Sequence, residues 1–323
     1  MGVMADLQRK FNGKLDIQYR RDGEAVKLWN TFDFADVLFV QRPASPELVQ
    51  MMQYFKEQYN RPVWIDFDDN LFELPKYNRA FKVYDQQTTK DNVIKSIQLA
   101  DVITVTTEEL KRYISPMNPN VIVVPNAFNN ATFDLSRRKN IERQNSVLWR
   151  GSDTHIGDVD YYHKEIQTVM ADYPDHKFLF VGSDINGMYH IFDEAFNRNM
   201  MGNAHRLEPL DPNIFLNSIQ ALGSKFIHVP LVDNLFNRAK SNIAMIEGAW
   251  AGMAVIAPDW KEWQIPGVLN YNNKMEYYNL MKGCLSGAID YKAKAAETWQ
   301  YVSENLTLTK VNMLRHKILK ELL

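Results

Sequence analysis

The feature that most constrains this chain is a repeated alternation of short β-branched runs with longer amphipathic stretches. In the first part, DVLFVQ (Asp36–Gln41), VWIDF (Val63–Phe67), VITVT (Val102–Thr106) and VIVVP (Val121–Pro125) read as strands. Helical patterns over Pro46–Tyr59, Asp91–Ala100 and Glu108–Ile114 separate them. Strands that stay apolar on both faces and alternate with helices predict a parallel sheet covered on each side. The polar stretch Asn126–Gln144 interrupts this rhythm, and a second series follows. Its strands are Ser146–Arg150, Phe178–Val181, Phe226–Val229 and Ala254–Ala257; its helices are Tyr161–Asp172, Asn213–Leu222, Ala239–Trp250 and Lys274–Leu285. The expectation is an α/β chain of two Rossmann-like halves, residues 1–140 and 141–305, followed by a closing helix over 306–323. Ligands of such sheets bind beyond the carboxyl ends of the strands, so two facing halves place the site in a cleft between them.

A length of 323 residues is ample for two cores. The net charge of −2 gives no overall pull toward nucleic acid or membrane. A single cysteine, Cys284, excludes an intramolecular disulfide and a multi-cysteine zinc site. The opening MGVMADLQRKFNGKLDI lacks the apolar core of a signal peptide. No apolar run approaches the roughly 20 residues that span a bilayer, so a cytoplasmic setting is expected. Near the end, Val311, Leu314, Ile318, Leu319 and Leu322 recur at helical spacing opposite Lys310, Arg315, Lys317 and Lys320. This reads as a helix closing onto the body, with peripheral membrane contact as the other reading.

The most informative segment is FIHVPLVDNLFNRAKSNIAMIEGAWAGMAVIAPD, Phe226–Asp259. A buried strand ends at Pro230 and a helix is expected to start near Ala239, with Lys240 and Ser241 in its first turn. Helix amino ends attract anions such as a pyrophosphate. Glu247, about two turns on, is placed to accept two ribose hydroxyls. The residues alone equally allow a helix with an exposed Lys and Glu and a small-residue packing face.

This segment resembles the donor-binding signature of the family-4-type retaining glycosyltransferases of the GT-B fold. There a glutamate precedes a small-residue run, here EGAWAG, and the resemblance gives Glu247 the ribose-binding role. The family's second glutamate falls at Ala239 in this chain. NRAKS, Asn237–Ser241, is instead similar to a bacterial and phage-type branch, which implies sugar contacts for Asn237 and a phosphate role for Lys240. The turn VLWRGSDTHIGD would complete the donor site through Arg150, Gly151, Ser152 and His155. It lacks the family's own arginine and lysine for the diphosphate. Of the local cations Arg150, His155, Arg238 and Lys240, at least two are therefore expected to face the cleft. Arg150 reads equally as a strand-end surface residue and His155 as a cap or core histidine. KFLFVGSD and HRLEPLDPNIF also resemble the family and would place Arg206 to Leu210 beside the nucleobase.

VWIDFDDNLFELP sets Asp66, Asp68 and Asp69 at a strand end, with Glu73 beyond. Clustered carboxylates need a cation, hydrogen-bond donors or a shared proton. They could hold a metal, serve as the nucleophile motif of a haloacid-dehalogenase-like phosphatase using Asp66 and Asp68, act on an acceptor hydroxyl, or cap the next helix. The resemblance favours acceptor chemistry at Asp68 and Asp69. Thr107 reads as an N-cap, and Asn126 is expected near the interdomain cleft. KLDIQYRRDGEAVKL is short and lacks the family's glycine-rich loop, so the first domain looks trimmed. What the resemblance implies is transfer of a hexosyl or pentosyl group from a UDP- or GDP-type sugar, with retention and without a cofactor or a required metal. The acceptor stays open between a saccharide or lipid-linked glycan and a hydroxylated base in phage-type DNA. Arg20, Arg21, Arg42 and Arg79 would serve the DNA case. The phosphatase is the alternative function.

Overall fold

The computed structural model describes residues 2–11, 15–135, 141–183, 203–207, 211 and 214–323. It contains two separate sheets, each entirely parallel. Strands β1 (Leu38–Gln41), β2 (Val63–Phe67), β3 (Val102–Val105) and β4 (Val121–Val123) form the first sheet in chain order. Helices α1 (Gly2–Lys10) and α2 (Asp22–Leu28) precede it. The crossovers are α3 (Pro46–Tyr59), the short α4 (Phe81–Tyr84) with α5 (Gln87–Leu99), and α6 (Glu108–Ile114). Local chemistry sets these bounds. Ser45 caps α3 by accepting from the Leu48 amide, Pro46 sits at its first turn, and Asn60 closes it at φ 49°. Strand β3 is buried at every position, as a central strand with helices on both faces must be.

The second sheet has the order β10-β9-β8-β5-β6-β7. The chain runs outward through β5 (Gln144–Ser152), β6 (Lys177–Ser183) and β7 (Ala204–Leu207). It then returns to the other side of β5 as β8 (Ser224–His228) and continues through β9 (Ala254–Pro258) and β10 (Leu269–Tyr271). The reversal between β5 and β8 opens a crevice at their carboxyl ends, the usual ligand position in such sheets. Between the strands lie α7 (Ile156–Tyr161), α8 (His163–Asp172), α9 (Phe215–Ala221), α10 (Leu235–Arg238) and α11 (Ile243–Ala251). Helices α12 (Lys274–Leu285) and α13 (Tyr291–Asn305) follow β10.

Two details depart from the expected elements. The helix predicted over Ala239–Trp250 is split into α10 and α11, so Lys240 and Ser241 lie in the connecting loop rather than in a first helical turn. Asn234 ends the preceding strand-loop by capping α10, and Asn242 precedes α11. Second, the last helix, α14 (Leu308–Leu322), closes onto the first domain. Val311 and Ile318 enter a buried cluster with Trp64, Val102 and Val124. Asn312 donates to the Val3 carbonyl at 3.1 Å and to Asp6 at 2.8 Å, joining α14 to α1. The apolar stripe once open to a membrane-surface reading is thus taken up by β2, β3 and the segment after β4, while Leu314 stays exposed. Among the described residues no helix is long and apolar enough to cross a membrane.

Candidate active site

The site is built where β5, β8 and the first sheet converge. Arg150 and Gly151 end β5. At the next strand Gly182 pairs with Gly151, and a Cβ on Gly182 would fall 1.6 Å from the Gly151 carbonyl, so only glycine permits this approach. On the other side, α11 lies tight against the sheet because Gly248 has no side chain: a Cβ there would meet Ile227 at 2.6 Å. That packing carries Glu247 to Arg150. Their side chains form a largely buried ion pair, Nε to Oε2 at 2.6 Å. The contact is an ion pair rather than a hydrogen bond. Arg150 Nε, Arg150 Nη2 and Glu247 Oε2 therefore remain buried without hydrogen-bond partners among the described residues. Burial raises the Glu247 carboxyl from its ordinary value, and the neighbouring guanidinium opposes the shift.

Lys240 reaches across the cleft. Its ammonium lies 3.5 Å from Asp69 of the first domain and 4.4 Å above the Phe236 ring. Ser241 accepts a hydrogen bond at 2.6 Å from Asn126 Nδ2, again from the first domain. Ala239, at the place of the family's second glutamate, is buried in the hydrophobic core of the first domain. Its carbonyl accepts from Thr107 Oγ1 at 2.9 Å, the same hydroxyl that caps α6. A carboxylate could not be buried there without a partner. Arg238 does not join these groups. It makes two bonds to Asp233, at 2.5 and 2.7 Å, on the exposed side and lies over the Trp260 ring.

His155 sits in a short 3₁₀ turn after β5, and its Nδ1 lies within hydrogen-bond distance of Asp158 Oδ2, at 3.0 Å. Burial and the nearby charges of Lys240 and Arg150 hold its basicity down against the pull of Asp158. Asn237 is fully buried, with Nδ2 donating to Asp158 at 2.7 Å and to the Val232 carbonyl at 2.9 Å. Its Oδ1 has no partner among the described residues. Ser152 Oγ lies 2.7 Å from Thr154 Oγ1. Asp158 itself was not anticipated from the sequence. It is 1% exposed, and besides His155 it collects donors from two stretches distant in the chain, Tyr77 and Val232–Asn237. Arg206 belongs to β7, but its side chain, and residues 208–210, lie outside the described residues.

The acidic cluster separates into different environments. Asp66 accepts from Thr104 Oγ1 at 2.5 Å, and burial raises its carboxyl despite Arg315 of α14. Asp68 meets Arg42 Nε at 3.1 Å; burial is again the largest cause of its raised pKa, with Asp69 adding to it. Arg42 holds this position at φ 47°, a strained left-handed conformation directly after β1. Asp69 faces Lys240, and Glu73 accepts from Tyr113 at 2.9 Å. Among the described residues no three His, Cys, Asp or Glu groups gather as a metal site. Of the four arginines considered for DNA, Arg42 pairs with Asp68, and Arg20 bonds its own neighbours Tyr19 and Gln18.

No protein-family model and no curated protein matches this sequence. Solved structures do match in three dimensions. Anabaena HepE, in complex with UDP and glucose, shares 12% identity at a TM-score of 0.67, over 92% of this chain and 81% of that one. The pneumococcal O-GlcNAc transferase GtfA, in complex with UDP and GlcNAc, shares 9% at 0.65, over 95% of this chain and 61% of that one. The UDP-forming α,α-trehalose-phosphate synthase of Burkholderia vietnamiensis shares 12% at 0.63, covering 99% and 84%. Two parallel sheets meeting across one cleft, in the arrangement of these structures, give this chain the GT-B glycosyltransferase fold.

Proposed function

We propose that the protein transfers a glycosyl group from a nucleoside diphosphate sugar, of UDP or GDP type, to a hydroxyl acceptor. The observation that carries this reading is the Arg150–Glu247 pair: buried, ionic and short of hydrogen-bond partners at the switch point of the second sheet. A buried polar group without partners costs about 1–3 kcal/mol, so a ligand that supplies them gains that much. Ribose hydroxyls donate to a carboxylate, and phosphoryl oxygens accept from a guanidinium. A nucleotide offers both. The complexes of HepE and GtfA with UDP support the same ligand class.

In this reading Lys240 exchanges Asp69 for the diphosphate and stabilises it as it departs, while Asp68 and Asp69 act on the acceptor hydroxyl. Most of the acceleration comes from holding both substrates in one cleft. The transfer needs no divalent metal and proceeds with retention, the latter resting on the sequence resemblance around Asn237–Ser241 and Glu247. A saccharide acceptor is favoured over a DNA base, because Arg42 is already paired with Asp68. The phosphatase reading is disfavoured by Asp66, whose carboxylate is engaged in a part-buried hydrogen bond from Thr104. A thermal-shift screen against UDP- and GDP-sugars tests the proposal. A stabilisation that saturates with one donor is expected and persists in a chelator; no response to any of them would end it.

A further inference from the structure

Asp158 divides its two oxygens between different tasks. Oδ1 accepts from Tyr77 OH of the first domain at 3.1 Å, from the Val232 amide at 3.0 Å and from Asn237 Nδ2 at 2.7 Å. Oδ2 accepts from His155 Nδ1 at 3.0 Å. A carboxylate offers no proton, so Nδ1 must carry the hydrogen. In a neutral ring the lone pair then belongs to Nε2. Burial, with Arg150 and Lys240 nearby, favours that neutral ring. Nε2 has no partner among the described residues, and the adjoining Cδ2 lies 3.4 Å from the point a Cβ on Gly151 would occupy. The open nitrogen therefore borders the Gly151 turn.

We propose that Asp158 is a positioning residue that fixes His155 as a hydrogen-bond acceptor, so that His155 recognises a hydroxyl of the nucleotide sugar rather than its diphosphate. The chemistry follows from the lone pair, which attracts an O–H and repels a phosphoryl oxygen. Charge compensation for the diphosphate then falls to Arg150 and Lys240. The proposal rests on the donor-site reading above and deepens it.

Asp158→Asn isolates the effect. An amide oxygen in the Oδ1 place keeps the bonds from Tyr77, Val232 and Asn237, while the NH₂ in the Oδ2 place forces His155 Nδ1 to accept. The tautomer inverts, and Nε2 becomes a donor. The test uses the full-length protein labelled with ¹⁵N. Histidine two-bond correlation spectra, with His155→Gln identifying the resonance, should show the Nδ1–H tautomer in the unaltered protein and Nε2–H in Asp158→Asn. Calorimetry with UDP-glucose and GDP-mannose should give at least a tenfold loss of affinity in each single variant, and no further loss in the double variant. An Nε2–H tautomer in the unaltered protein, or losses that add, would overturn the proposal. Reading the tautomer of the unaltered protein does not need Asp158→Asn to fold. Failure of the unaltered protein to bind either sugar nucleotide would instead overturn the donor reading, leaving the tautomer to be judged by itself.

Discussion

Arg150 and Glu247 illustrate how a site stores binding capacity in single side chains. Their ion pair is enclosed, yet three of its polar atoms lack partners. Glu247→Gln keeps the shape and removes the charge that, on the proposed reading, accepts ribose hydroxyls. It should weaken nucleotide binding by roughly 10- to 100-fold, the worth of one or two charged hydrogen bonds. Glu247→Ala should in addition destabilise the fold by about 3–5 kcal/mol, because it strands a buried guanidinium. Calorimetry and denaturant titration separate these effects. Titrating groups set a second expectation. His228, enclosed against Tyr277, is pushed down to about 3, so it is neutral in the fold but charged when unfolded below about 6.5. Its contribution is present above pH 6.5 and is lost as pH falls, by about 1.4 kcal/mol per unit. Burial raises Glu262 to about 7; that contribution is full below the ordinary carboxyl range and is lost as pH rises through 7. The two slopes oppose each other between pH 4.5 and 6.5. Glu262→Gln should therefore make acid destabilisation visibly steeper than in the unaltered protein, as read by denaturation at each pH; parallel curves would contradict this. Glu247 could be singled out in the sequence because a motif surrounds it. Asp158 could not, since its partners Tyr77, Val232 and Asn237 lie 74 to 81 residues away from it.

At the scale of elements, the central strands β2 and β3 were readable because burial on both faces leaves them mostly apolar. Helices α3, α6 and α12 were readable from caps and polar faces: Ser45, Thr107 and Asn273 each accept from a first-turn amide. The loop between α10 and α11 was not. Seven of the nine residues of α11 are buried, so it has no polar face to mark its start, and the periodicity ran on through Lys240. Strand β10 has three residues, too few for a pattern. Helix α14 was expected, but the face it covers was not, since amphipathicity gives a stripe without naming its partner. Ile318, 4% exposed in the cluster with Trp64, now allows a specific figure. Ile318→Ala should cost about 2–4 kcal/mol by denaturant titration while leaving nucleotide affinity unchanged. An effect below 0.5 kcal/mol would mean that α14 contributes little to the first domain.

Across the whole molecule, the polar contacts between the two halves include Tyr77 with Asp158, Thr107 with Ala239, Asn126 with Ser241 and Asp69 with Lys240. On the proposed reading, the last of these competes with the ligand. A partly exposed pair is worth at most about 1 kcal/mol. Asp69→Asn should thus bind a nucleoside diphosphate up to about fivefold more tightly, yet lose turnover if Asp69 acts on the acceptor. Weaker binding would show that Asp69 orders Lys240 instead of competing for it.

The chain crosses between the domains twice, once after β4 and once before α14, and the two crossings are laced together. Phe128 donates to the Leu306 carbonyl at 2.7 Å and accepts from the Leu308 amide at 2.8 Å; Asn130 and Thr309 bond each other at 3.0 and 3.1 Å. In mechanical terms this is a double-pinned joint. One covalent link would let a domain swivel about its own bond axes, whereas two parallel links resist torsion and leave bending as the soft motion. Opening of the cleft would then follow a single arc, returning Asp69 to Lys240 and Tyr77 to Asp158 in the same register each time it closes.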